Sequence, residues 1–293
     1  MHSVVNIRLI VALLLTIIST QALSDETGTL SLRLWDKNYD RPQTLAFIQL
    51  AIEKAEPKYG KITLSRVEID TLSQATQALE KNQQIDAYVS GTDIPKEESL
   101  LPIYIPLERG LLGFRACMIQ PKNQPLFSDI QLANQFAENQ LYVGLGSSWP
   151  DRNIMIDNGF IIKHANNYES LIAMLANNDV QCFSRSMMEI DDELMAHPKF
   201  DAEKRLAFIY PFADILYVRP DATKLHEALN YGLEVAIKDR SYFALFDQFY
   251  ADSLQKYEFY FRKILVLRNN NISANAREAI NRYGIASFSH GPR

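Results

Sequence analysis

Two stretches of this chain repeat one order of elements, strand, helix, strand, helix, strand, and that duplication limits the possible fold more than any other feature of its 293 residues. In the first stretch Leu30 to Trp35 alternates like a strand, Thr44 to Glu53 has helical periodicity, and Ile62 to Ile69 alternates again. Leu72 to Lys81 places Leu72, Ala75, Thr76 and Leu79 on one helix face, and Ile85 to Val89 closes the unit as a short strand. The second stretch repeats this order with Tyr142 to Leu145, a helix near Arg152 to Asn158, Ile161 to His164, a helix at Tyr168 to Ala176, and Val180 to Phe183. Strands alternating with helices imply parallel sheets.

Each unit is followed by an apolar run with no matching helix, Gly110 to Ile119 after the first and Asp214 to Val218 after the second. These runs read as strands that cross between two lobes. The expected fold is α/β and two-lobed, each lobe a mostly parallel sheet flanked by helices, with hinges near Gly110 to Arg115 and Pro211 to Arg219. Residues 25–112 and 217–268 would form lobe I, residues 113–216 lobe II, and residues 269–293 a tail. The carboxyl ends of the strands in both sheets would face the cleft, where open α/β sheets hold ligands.

Lys and Arg are scattered over a chain of formal net charge -5, which leaves no electrostatic footprint for nucleic acid. Met1 to Ser24 has a basic start, an apolar run from Leu9 to Ile18, and small residues at Ala22 and Ser24, the three parts of an export signal. The apolar run is shorter than the roughly 20 residues that a membrane span needs. The expectation is a monomer exported to the periplasm. Its two cysteines, Cys117 and Cys182, fall on strands that become neighbours if the first crossover strand adds beside the last strand of the second unit. An oxidising compartment permits a disulfide. Cross-strand geometry is restrictive, and two buried free thiols are the expected state.

Several segments resemble the extracytoplasmic solute-binding proteins of ABC transporters, family 3, the polar amino-acid type. Gln84 to Glu98 is similar to the segment that closes that family's first unit, Leu101 to Pro106 to its turn into the hinge, and Tyr142 to Ser148 to its second-lobe ligand loop. Leu225 to Tyr250 resembles its returning helices, and the resemblance spans Leu30 to Arg268. It implies a protein that captures a small polar solute by hinge closure for ABC-type uptake, with no cofactor. In amino-acid binders of the family an Arg grips the ligand carboxylate, whereas the matching position here is Lys96, a point charge without the planar two-pronged contact. The Asp that takes the amino group falls at about Ser186. The resemblance therefore implies a zwitterionic or anionic solute without specifying an amino acid.

The candidate ligand residues follow from position. Trp35 and Tyr39 lie at the carboxyl end of the first strand, where aromatic rings either sandwich a solute or pack the loop. Gly91, Thr92 and Lys96 belong to the first-lobe segment. The loop Gly146, Ser147, Ser148, Trp149 opens a helix whose backbone N–H groups serve equally as a cap or as an anion site. Arg115 lies among apolar residues on the first crossover strand, and Arg185 ends the last strand of the second unit near Glu189. Such charges are either paired or used: Arg115 pairs with a carboxylate such as Glu108 or grips an anion, while Arg185 and Glu189 hold a zwitterion or each other. The expected partners are the solute and either an ABC permease or a membrane sensor, the sensory role being the alternative function. The sequence has no His-Glu-x-x-His pair, no metal-spaced Cys/His cluster and no Gly-x-Ser-x-Gly elbow, so a non-enzyme is expected. A dehydratase-like enzyme using Glu189 is the less favoured alternative.

Overall fold

The structure, a computed structural model, describes residues 29–288. The export signal expected at residues 1–24 lies outside the described residues. Among these, no helix is long and apolar enough to cross a membrane.

The first unit runs β1 (Leu30–Trp35), a single turn α1 (Asp36–Tyr39), α2 (Pro42–Tyr59), β2 (Ile62–Val67), α3 (Leu72–Glu80), β3 (Ala87–Gly91), α4 (Ile94–Ser99) and β4 (Leu101–Ile103). Local chemistry sets the boundaries. Pro42 opens α2 where its missing N–H costs nothing, and Gly60 ends it at φ 80°. Thr71 and Gln74 form a reciprocal capping box at the start of α3. Leu32 and Leu34 alternate into the core, with Phe47, Ile48 and Ala51 of α2 in the same apolar cluster.

The chain then crosses through a short 3₁₀ turn at Leu111–Gly113 into the second unit. Here follow β5 (Phe114–Ile119), α5 (Gln135–Glu138), β6 (Tyr142–Gly146), α6 (Asp151–Asp157), β7 (Ile161–Ala165), α7 (Tyr168–Ala176), β8 (Cys182–Ser186), α8 (Ile190–Ala196), β9 (Asp201–Ala202) and β10 (Leu206–Ile209). It returns to the first lobe before β11 (Asp214–Val218), packs α9 (Thr223–Lys238) and α10 (Ser241–Lys256) there, and continues through β12 (Lys263–Val266) to α11 (Ala274–Tyr283). Gly232 of α9 rests against the Ala51 carbonyl of α2, an approach that any Cβ would block.

Two sheets result. The first is five-stranded in the order β2-β1-β3-β11-β4, with β1 parallel to β2 and β3, and β11 antiparallel to β3 and β4. The second has the order β12-β10-β5-β8-β6-β7, with β9 also on β5. Two assignments made from sequence differ. All of Asp214–Val218 pairs inside the first sheet, so the return crossing is the segment just before it. Lys263–Val266, expected in lobe I, pairs in parallel with β10 of the second sheet. The two crossings touch: the Tyr210 N–H donates to the Gly113 carbonyl at 3.1 Å, and a side chain at Gly113 would overlap the Tyr210 carbonyl. The largest apolar cluster runs from Phe47 through Leu111 and Phe212 at the crossings to Phe136 and Phe208.

The expectation of free thiols is also corrected. Cys117 and Cys182 are joined in a disulfide, with Cα atoms 4.9 Å apart. The antiparallel pairing of β5 on β8 brings the two cysteines within bonding range, a separation typical of disulfides.

Candidate functional site

The carboxyl ends of β1, β3, β6 and β8 converge on a cavity of about 250 Å³ between the lobes. Trp35, Lys37, Asn38, Arg41 and Val89 to Gly91 form the first-lobe wall; Arg115, Trp149 to Asp151, Arg185 and Glu189 form the second-lobe wall; Leu112, Phe212 and Asp214 lie where the crossings meet. Asn38 fixes the loop after β1, since its amide donates to the Val89 carbonyl at 3.0 Å and its oxygen accepts from the Val89 N–H at 2.8 Å. A neighbouring cavity of about 340 Å³ lies between Thr92 to Pro95 and Ser147 to Ile154, closed on one side by Asn269 and Asn271. Trp149, Pro150 and Phe212 border both spaces.

The first cavity is lined by charges of both signs, and most are satisfied within the protein. Arg115 Nη2 lies 2.8 Å from Asp151 Oδ2, with Glu189 further off at 3.9 Å. The sequence offered Glu108 as its structural partner; Asp151 takes that place. Arg185 pairs with Glu193 and with Glu189 at 3.1 Å, and its guanidinium sits over the Trp149 and Phe183 rings. Lys37 lies 3.0 Å from Asp36. Arg41 differs: its nearest carboxylate, Asp214, is 3.9 Å away, and its side chain is 35% exposed. Arg41 is thus the one cation on this wall with no carboxylate at hydrogen-bond distance.

Burial and neighbouring charge shape the protonation states. Burial alone would lower the Arg115 pKa, yet Tyr210, Asp151 and Glu189 raise it above its ordinary value. Burial likewise opposes charge on Arg41, and the fields of Glu189, Asp214 and Glu108 outweigh it. Burial would raise the Glu189 pKa, but Arg185, Arg41 and Arg115 hold it below the usual carboxylate value, so it is ionised. Behind Arg41, burial and the nearby Asp214 push Glu108 up to about 8, and burial raises Asp214 as well.

The other residues anticipated from sequence divide. Trp35 is on the cavity wall, but its indole N–H donates to the Ile69 carbonyl at 2.8 Å and its ring packs edge-on against Tyr88. Tyr39 is half-buried against the core and off the wall. The Phe212 ring occupies the space a side chain at Gly91 would need. Trp149 covers Gly146 in the same way, 2.6 Å from the position of a Cβ, so the protein's own indole takes the approach expected for a ligand. Ser147 donates to Asn166 at 2.8 Å, and with Ser148 and Thr92 it lines the second cavity, where the buried Thr92 hydroxyl has no hydrogen-bond partner. Lys96 departs furthest from expectation. It is 6% exposed, donates to Ser90 Oγ at 2.9 Å and the Gly91 carbonyl at 3.0 Å, and lines neither cavity. Burial lowers its pKa.

Sequence reasoning missed Arg41, Asp151, Asp214 and Phe212. A signal existed for two of them: Arg41 ends the loop at the carboxyl edge of β1, and Asp151 directly follows the flagged loop of β6. Among the described residues no group of His, Cys, Asp and Glu is placed to hold a metal ion.

No protein-family model matches the chain, and neither does any curated protein by sequence. Solved structures do resemble it in fold. An arginine-specific periplasmic binding protein of Salmonella typhimurium superposes with a TM-score of 0.52 at 12% identity, over 76% of this chain and 100% of that one. The Bordetella pertussis BvgS VFT2 domain, as a double mutant, gives 0.57 at 13% identity over 77% and 94%. The ancestral amino acid-binding protein AncCDT-1, described as a precursor of cyclohexadienyl dehydratase, gives 0.54 at 13% identity over 75% and 95%. The likeness is one of fold, the two-lobed architecture of periplasmic binding proteins.

Proposed function

We propose that this chain is an exported solute-binding protein that takes a small zwitterionic or anionic solute between its lobes and closes on it by hinge motion. The observation that carries this reading is Arg41, a partly exposed guanidinium facing a charged interlobe cavity, with its nearest carboxylate, Asp214, 3.9 Å away. Its planar donors suit a carboxylate or another oxyanion. Glu189, ionised and partly accessible on the opposite wall, is the complementary position for an ammonium group. A cavity of about 250 Å³ suits a solute of metabolite size. Lys96 is replaced in this role by Arg41, because its ammonium is already held by Ser90 and Gly91.

Binding rather than turnover fits the chemistry of Glu189. A general base needs a pKa near working pH, and the three surrounding guanidinium groups lower that of Glu189 instead. A thermal-shift screen of amino acids, organic acids, polyamines and sugars tests the reading. A ligand at 100 times its dissociation constant adds about 2.7 kcal/mol of stability, readily seen as a rise in Tm. The expected hits carry a carboxylate and lose at least about tenfold in affinity, some 1.4 kcal/mol, in Arg41→Ala. Hits confined to sugars or polyamines would refute the anionic assignment, and no hit at all would refute the binding function.

The likeness to the BvgS VFT2 domain supports a second reading, in which the same closure reports to a membrane signalling partner instead of delivering solute to an ABC permease. Uptake of a radiolabelled hit into cells separates the two: uptake lost on deletion of the gene means transport, and unaltered uptake means sensing.

A further inference from the structure

The chain crosses between the lobes twice more after β11: from α10 on the first lobe into β12 of the second sheet, and from β12 back to α11. After β12 pairs in the second sheet, the Leu267 N–H donates to the Ile209 carbonyl at 2.8 Å. Asn158, at the end of α6, then grips the Arg268 backbone from both sides: its amide donates to the Arg268 carbonyl at 2.8 Å and its oxygen accepts from the Arg268 N–H at 2.9 Å. Asn269, 3% exposed, donates to the Pro211 carbonyl at 2.9 Å on the return crossing.

A few residues further on, the same segment is fixed to the first lobe. Ser273 caps α11 by accepting from the Ala276 N–H at 3.0 Å, and its hydroxyl also donates to Glu97 of α4. Glu97 accepts from Tyr104 at 3.1 Å, which ties the contact to the end of the first sheet. Ile272, Ala276 and Ile280 form a small core with Ala213 of the return crossing. The end of α11 then docks on the outward crossing, where Arg109 donates to the Tyr283 and Gly284 carbonyls at 3.3 Å and accepts from the Ile285 N–H at 3.1 Å. Asn269 and Asn271 also close one side of the second interlobe cavity.

A two-lobed protein with two crossings rotates about them, because only a few backbone dihedrals absorb the motion. A further crossing anchored at both ends, and bonded to the outward and return crossings, removes part of that freedom. We propose that residues 268–285 form an interlobe strap that limits how far the lobes open. Its anchors are specific: the Asn158 clamp on the second lobe and the Ser273–Glu97 contact on the first. The strap holds the ligand-free protein in a narrow range of partly closed forms, so a solute has less reorganisation to drive on binding. The proposal needs only the fold and the strap contacts, and it stands or falls apart from the identity of any solute.

The test is the interlobe distance distribution of the ligand-free protein, measured by pulsed electron–electron resonance between nitroxides on Gln77→Cys and Glu169→Cys. Both positions are exposed, one on α3 and one on α7, and the native cysteines are protected in their disulfide. The distribution should be narrow in the intact chain. In Asn158→Ala with Ser273→Ala, and in a chain ending at Arg268, it should broaden and shift, with a larger radius of gyration in X-ray scattering. Broadening in either supports the strap. Circular dichroism establishes folding; if the shortened chain does not fold, the double variant alone decides. An unchanged distribution in every folded release variant overturns the proposal.

Discussion

The Arg115–Asp151 pair predicts a specific pattern of stability. Arg115 is 3% exposed and Asp151 1%, and their contact of 2.8 Å is supplemented by the Tyr210 hydroxyl, 3.4 Å from the same Asp151 oxygen. Asp151→Asn keeps the shape and removes the charge, leaving a buried guanidinium whose remaining carboxylate, Glu189, is 3.9 Å away. Removing one partner of a buried pair costs about 3–5 kcal/mol. At an effective dielectric of about 20, the contacts to Asp151 and Glu189 correspond to attractions of about 6 and about 4 kcal/mol before desolvation. Glu189 therefore retains much of the compensation, and the loss should fall at the lower end, about 3 kcal/mol. Replacing both partners, Arg115→Met with Asp151→Leu, removes the buried charges together and should fall within about 1 kcal/mol of the parent protein. Urea unfolding followed by circular dichroism, with a common m-value, measures the parent, Asp151→Asn, the single variants Arg115→Met and Asp151→Leu, and their combination. A double variant as unstable as the sum of Arg115→Met and Asp151→Leu would refute the reasoning. Arg115 would then be uncommitted, and it would return as the anion grip that its place in the sequence suggested.

Two further outcomes follow from buried groups. Glu108, facing Asp214, Arg41, Thr44 and Tyr250, keeps its proton in the native state up to about pH 8, whereas the unfolded chain releases it near 4.5. The native state binds more protons across that window, so stability is greatest at its acid end and declines as pH rises toward 8. Glu108→Gln should flatten this part of the Tm–pH curve, and a parallel decline in the variant would mean that Glu108 is ionised when folded. The disulfide closes a loop with a sequence separation of 65; on chain entropy alone, Cys117→Ser with Cys182→Ser should cost about 4 kcal/mol. Denaturant midpoints that coincide with and without reductant would show that the bond contributes nothing.

Elements whose signal is local were legible in the sequence. Leu30–Trp35 and Tyr168–Ala176 carry their own periodicity and form the strand and helix expected. Pairing was less legible. Leu206–Ile209 and Lys263–Val266 have only four residues each, too few for a distinctive pattern, and their place in the second sheet depends on partners far along the chain. The site divides in the same way. Arg115, Arg185 and Glu189 stood out as charges beside apolar strands. Whether each was free or paired depended on Asp151 and Glu193, which local pattern presents merely as acids in the first turns of α6 and α8. Lys96 occupied a plausible ligand position, and only the fold shows its ammonium turned toward Ser90 and Gly91.

The arrangement of these charges bears on which solute the cleft would prefer. Arg41 comes from the first lobe and Glu189 from the second, and Glu189 is the carboxylate that most raises the Arg41 pKa. Closure of the proposed kind would thus draw opposite charges together even without a solute. A neutral molecule entering between them would weaken that attraction and strip water from both groups without replacing either interaction, a desolvation cost that a sugar offsets only in part. A zwitterion would present a carboxylate to Arg41 and an ammonium to Glu189, so each group would exchange one partner for another and the proposed closure would be kept. Selectivity would then arise as much from what the charged walls penalise as from what they attract. It follows that Glu189→Gln should narrow the gap in affinity between zwitterionic hits and simple carboxylates, while Arg41→Ala should weaken both. Equal losses for both solute classes in Glu189→Gln would remove Glu189 from the discrimination and leave Arg41 as its only source.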